Sequence, residues 1–130
     1  MGAEQKLYKK LKTFTPKIIW NRVENLSVVG MPDLLGYNTN GHFFTVELKV
    51  TKSKKLKFSP HQIAFHVTHP HNTFILAKKP SQGSFKLFSG TSILALVKEG
   101  FKYQDACCLS LEDLEKFFES LGDGRLRLVT

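Results

Sequence analysis

The chain has 130 residues, a net charge of +8 and eleven Phe, which suits one domain with its own core. No apolar run is long enough to span a bilayer, and no secretory pattern opens the chain, so neither a membrane protein nor an exported one is expected. The only cysteines, Cys107 and Cys108, are adjacent, a spacing that argues against a structural disulfide and for a reducing, intracellular compartment.

The predicted elements alternate between helix and strand. Glu4 to Phe14 reads as a helix, with Leu7, Leu11 and Phe14 on one side and Lys6, Lys9, Lys10 and Lys12 mostly off it. Thr15-Pro16 stops it. Ile18 to Asn25 reads as a strand. A hairpin follows, its arms Met31–Tyr37 and His42–Val50, turned at Asn40-Gly41, two residues that tolerate positive φ. Thr51 to Lys57 is a basic loop. Ser59-Pro60 opens a helix running to about His69, with Ser as N-cap and Pro at the first helical position. Thr73–Lys79 and Phe85–Phe88 read as strands around a Pro80–Ser84 turn. Thr91 to Lys98 reads as a helix ending at Gly100. Ser110 to Leu121 is another, with Ser110 and Asp113 spaced like a capping box. Arg125 to Val129 is an edge strand or a loose tail. The expected fold class is α/β, a central mixed β-sheet flanked by helices.

Within the hairpin, side chains alternate faces, so Phe43, Thr45, Glu47 and Lys49 share one face. Asp33 opens the partner strand close to Glu47 and Lys49. Two carboxylates and one ammonium converging on a small sheet suit a divalent metal with a positioned cation, an arrangement fitted to phosphodiester hydrolysis. The expected ion is Mg²⁺, with Mn²⁺ able to substitute. Its ligands are Asp33, Glu47, the backbone carbonyl of Leu48 and Glu24, which shares a strand face with Trp20 and Arg22. Lys49 orients the attacking water or steadies charge on the phosphate. Glu4 reads as a first-turn acid favoured by the helix dipole.

Charge is uneven. Residues 1–57 carry eleven basic and four acidic side chains, a surplus of seven, and residues 58–130 a surplus of only one. Three of those four acids are Glu24, Asp33 and Glu47. A positive surface gathers phosphates by counterion release. Arg22, Lys52, Lys54, Lys55, Lys57 and His61 are the expected DNA contacts, to backbone rather than bases. His61, His66, His69 and His71 lack the Cys or acid neighbours of a zinc site, and are expected at the surface, with His61 or His66 touching phosphate. Most Phe residues belong to the core. Phe43 is expected as an exception, and one of Phe117 and Phe118 as exposed at a subunit contact.

Arg22-Val23-Glu24-Asn25, Gly30-Met31-Pro32-Asp33, Glu47-Leu48-Lys49 and Ser59-Pro60-His61-Gln62 come in this order. Together they resemble the PD-(D/E)XK nuclease superfamily, above all its virus-type replication-repair (VRR-NUC) and Holliday-junction resolvase-like members. The resemblance covers about residues 18–78. It implies a restriction-endonuclease-like core within a single domain, residues 1–130, with a C-terminal helical segment at about 90–122. It also implies that Gln62 orients the nucleophile or a phosphate, the alternative being a solvated helical Gln, and it offers Glu4 as a competitor of Glu24 for the third carboxylate, with the first-turn acid still the preferred reading. It further implies that the substrate is branched or structured DNA, and that the enzyme is a homodimer, of virus or phage origin. The alternatives are a monomeric flap, nicking or restriction-like nuclease, and a non-catalytic nucleic-acid-binding module.

Overall fold

The structure, a computed structural model, describes residues 2–23, 29–80 and 83–123. The chain runs α1 (Ala3–Phe14), β1 (Ile19–Arg22), β2 (Leu34–Tyr37), β3 (Phe43–Val50), α2 (Pro60–Thr68), β4 (Thr73–Lys79), β5 (Ser84–Ser89), α3 (Ile93–Glu99) and α4 (Leu114–Ser120). The strands form one mixed sheet in the order β1-β2-β3-β4-β5. Only β3 and β4 pair in parallel; the others are antiparallel. The expected α/β architecture with a central mixed sheet is therefore present. No helix among the described residues is long and apolar enough to cross a membrane.

Alternation along the strands makes two apolar layers. On one face Leu34, Phe44, Val46, Leu48, Phe74 and Leu76 meet Leu7, Tyr8 and Leu11 of α1 and Leu114 and Phe118 of α4. Phe44 stacks on Phe118 with centroids 4.6 Å apart, and Trp20 meets both rings edge-on. On the other face Ile75, Ala77 and Phe88 meet Ile93 and Leu96 of α3, with Leu56 and Phe101. Each fully buried Leu or Phe contributes about 2 kcal/mol.

The hairpin turn is longer than the Asn-Gly dipeptide alone predicts. The Asn38 N–H donates to the His42 carbonyl (3.2 Å), so three residues lie between the last hydrogen-bonded pair. Gly41 takes positive φ (72°), but Asn40 does not. The buried Asn38 amide is the reason. Its Oδ1 accepts from the N–H groups of Asn40 and His42, both at 3.0 Å, while its Nδ2 donates to the Phe118 and Leu121 carbonyls. A type I turn closed by a left-handed Gly satisfies all of these.

Other boundaries also move. β1 stops at Arg22, although the Val23 N–H still reaches the Asp33 carbonyl at 2.8 Å. The last predicted helix begins with a 3-10 turn at Leu111–Asp113. There Ser110 Oγ donates to the Asp113 carboxylate instead of capping backbone, so the capping box does not form. Phe118 is fully buried and Phe117 is packed against the same layer, so neither supplies the expected exposed ring. Phe43, by contrast, is 57% exposed. The Arg125–Val129 segment lies outside the described residues.

The crossover sets up the site. α2 connects two parallel neighbours and therefore runs back along β3. Its first turn lies over the end of β3 that carries Glu47 and Lys49. In open α/β sheets that end of a strand is where ligands bind.

Candidate active site

The β2–β3 ladder registers Leu34 with Val46. One step further brings Asp33 opposite Glu47, on the same face of the sheet. Asp33 Oδ2 accepts the Leu48 N–H at 2.7 Å, where a further ladder bond would otherwise fall. This carboxylate thus ends the pairing and is fixed by it. The Leu48 carbonyl leaves β3 on the same side as its N–H, toward the Asp33 carboxylate. Gly30 secures the approach: its φ is +86°, and a Cβ there would lie 2.4 Å from the His61 carbonyl oxygen. The Gly30–Asp33 turn is thereby held against the first turn of α2.

Glu47 is only 2% exposed. Its Oε2 accepts from Gln62 Nε2 at 3.1 Å and lies 3.7 Å from Lys49 Nζ. Among the described residues its Oε1 has no hydrogen-bond partner. Asp33 beside it offers only lone pairs while both acids are ionised; once Glu47 is protonated, a side-chain hydrogen bond to Asp33 can form, and it helps to raise the Glu47 pKa. Burial first, and then the charge of Asp33, push Glu47 up to about 8, against the opposing pull of Lys49. Without a cation, this carboxyl is therefore mostly protonated at neutral pH.

Gln62 binds these groups together. It is the N3 residue of α2, and with Ser59 it forms a complete capping box. The Ser59 hydroxyl accepts from the Gln62 N–H (3.1 Å), and Gln62 Oε1 accepts from the Ser59 N–H (3.0 Å). The same Oε1 accepts from Lys49 Nζ at 3.0 Å. The amide is thus oriented by the helix end, with oxygen toward the ammonium and nitrogen toward Glu47. A solvated helical Gln, the alternative to the role implied by resemblance, is not what the fold contains. Phe58 covers the Lys49 ammonium, with its ring centroid 5.0 Å away.

Glu4 is an exposed acid in the first turn of α1, as the sequence reading prefers, and it acts on this group through its charge. Its carboxyl is held above the ordinary range, first by loss of hydration and then by the charge of Asp33, with Lys49 opposing. It also raises Glu47. Glu4, Leu7, Tyr8 and Leu11 follow the i, i+3, i+4, i+7 spacing of one helix stripe; the last three are buried, and Glu4 at the open end of the stripe is exposed. A groove of about 340 Å³ opens here, lined by Glu4, Lys49, Lys52, Lys55 and Lys57.

The remaining expected contacts divide. Lys52, Lys54, Lys55 and Lys57 are exposed, on a loop tied to itself by the Thr51 hydroxyl, which donates to the Lys55 carbonyl at 2.7 Å. His61 is exposed on the first turn of α2. His66 is fully buried, so it cannot touch phosphate as expected from sequence; its Nδ1 meets the Gln62 carbonyl at 2.9 Å, and burial lowers its pKa. Arg22 pairs through β1 and β2 onto the opposite sheet face from Glu47, its guanidinium 5.6 Å from the Tyr8 ring. Glu24 lies outside the described residues.

The donors fit Mg²⁺ rather than a closed cage. No group of three or more His, Cys, Asp or Glu gathered to hold a metal occurs among the described residues. Mg²⁺ keeps most of its waters and takes one or two protein carboxylates plus substrate phosphate. An unpartnered buried oxygen on Glu47 beside Asp33, with a carbonyl on the same side, offers that kind of incomplete set. No protein-family model matches the chain, and no curated protein sequence matches it.

Proposed function

We propose that this protein is a Mg²⁺-dependent endodeoxyribonuclease of the PD-(D/E)XK type, hydrolysing phosphodiester bonds in branched or structured DNA as a Holliday-junction resolvase-like enzyme. The observation that carries this reading is the unpartnered, buried Glu47 oxygen beside Asp33. A binding-only module gains nothing from two neighbouring carboxylates, which repel phosphate and each other.

Asp33 and Glu47 would hold the ion, with the Leu48 carbonyl as an oxygen ligand and Glu4 as an acid within electrostatic reach. The chemistry a bound Mg²⁺ supplies is neutralisation of phosphate charge and acidification of a water. Lys49 places a compact positive charge next to the carboxylates, where a phosphate oxygen gains charge in the transition state. Gln62 fixes that ammonium at a defined height above the sheet. Phe58 excludes water from one side of it, which strengthens its field. The lysines of residues 52–57 hold the backbone next to the scissile bond. A homodimer accounts for paired cuts in a four-way junction, since two sites are needed. An intracellular, reducing setting belongs to the same proposal, supported by the free thiols of Cys107 and Cys108.

The direct test is purified protein incubated with labelled four-way junction, flap, nicked and linear DNAs, with and without Mg²⁺. The proposal expects Mg²⁺-dependent cutting of the branched forms, and light scattering at the mass of a dimer. No cutting of any DNA in Mg²⁺ or Mn²⁺ would reduce the protein to a binding module.

A further inference from the structure

Beyond the groove at Lys49 lies a second one that no motif reaches. It has a volume of about 480 Å³ and is lined by Lys54, Lys55 and Lys57 from the loop and by Lys98 and Lys102 from the end of α3 and the turn after it. The two grooves share Lys55, Leu56 and Lys57 as a common wall. Leu56 is buried and anchors that wall in the apolar layer under α3.

The lysines converge because the backbone brings them together. The Lys54 carbonyl accepts the Phe101 N–H at 2.8 Å. Gly100, at φ +71°, sits so close that a Cβ would lie 2.1 Å from the Lys54 carbonyl oxygen. A side chain at that position would push the loop off α3. Five ammonium groups thus face one cleft with Glu99 as the one carboxylate in its lining. Such a cluster raises the local concentration of anions.

We infer that Lys98 and Lys102, with Lys54, extend the groove at Lys49 into a backbone track that holds phosphates of the nucleic-acid strand beyond those at the scissile bond. This rests on the nuclease reading for the strand's identity, and the chemistry required of the ligand is a polyanion with regularly spaced phosphates. A single free anion would need only one of the two grooves. Continuity through the shared Lys55–Lys57 wall favours a strand that passes through both. The contacts are to phosphate, so they add affinity without base preference.

The test is fluorescence anisotropy with a labelled DNA duplex over about 50–200 mM salt. It compares K98A/K102A with K9A/K116A, which removes the same charge from exposed lysines on α1 and α4. Both pairs are made on an Asp33→Asn background so that no substrate is cut. Loss of two phosphate contacts reduces the slope of log K against log salt by roughly 1.8, so the variant's affinity falls about tenfold less than the parent's across that range. The control pair leaves the slope near the parental value. In the active background, K98A/K102A raises KM with kcat retained. Equal slopes for the two pairs would overturn the track while leaving the nuclease reading intact. Binding with the expected slopes but no cutting by the unmutated protein in Mg²⁺ would do the reverse.

Discussion

The substitution Glu47→Gln isolates the strain in the carboxylate pair. In the metal-free protein Glu47 titrates at about 8 when folded, against an ordinary value of 4.5. Below about pH 4.5 both the folded and unfolded chains carry the proton, and the group is neutral toward stability. Between about 4.5 and 8 the unfolded chain releases a proton that the folded one keeps, so stability falls as pH rises. Above about 8 both have released it, and the full penalty stands. At 1.36 kcal/mol per unit, the difference amounts to at most about 5 kcal/mol. The amide of the variant removes the charge, keeps an oxygen for Gln62, and gives Asp33 a donor. In EDTA the variant should therefore unfold at higher temperature than the wild type at pH 8.5, by an amount on the order of 10 °C. The two should converge toward pH 5. Adding Mg²⁺ at pH 8.5 should stabilise the wild type and leave the variant unchanged, because only a ligand of the native state raises its melting temperature. Thermal unfolding by circular dichroism across that pH range measures all of this. Parallel pH profiles for the two proteins would refute the reasoning.

Asp33→Asn should abolish Mg²⁺-dependent cleavage while DNA binding holds or tightens. It should also shrink the metal-free loss of stability with pH, since the Asp33 charge helps raise Glu47; wild-type cutting by this variant would remove Asp33 from the site. Lys49→Ala should lower kcat far more than affinity. Because Lys49 pulls the Glu47 pKa down, the same variant should carry the falling limb of stability to higher pH, and an unmoved limb would separate the two residues. Gln62→Ala deletes bonds to Ser59, Lys49 and Glu47 and should destabilise the protein by about 1–3 kcal/mol, read from urea unfolding. Unchanged stability would mean that the amide is not the tie described.

The motif core was legible because its logic is local. Two-residue alternation placed Glu47 and Lys49 on one face, and Ser59-Pro60 marked the start of α2. What escaped was whatever depends on contacts distant in sequence. The hairpin turn is set by Asn38 reaching α4, some eighty residues away. His66 looked like one of four surface histidines, yet its place on α2 turns it into the core. Glu4 is the first-turn acid that the sequence shows, but its electrostatic reach to Asp33 and Lys49 depends on how α1 packs against β3. Gln62 gains its meaning only from the crossover, which lays the first turn of α2 over the end of β3. The Lys98–Lys102 cluster has no motif at all; it exists because Gly100 lets the basic loop dock against α3.

The central claim is that Asp33 and Glu47 share one cation. Calorimetric titration of Mn²⁺ into the DNA-free protein, repeated in two buffers of different ionisation enthalpy, counts the protons released on binding. With Glu47 at about 8, the account predicts close to one proton (about 0.9) displaced per ion at pH 7 and almost none at pH 9. It also predicts no binding heat for Asp33→Asn or Glu47→Gln. An ion that binds both variants as it binds the wild type, with no proton released, would contradict it.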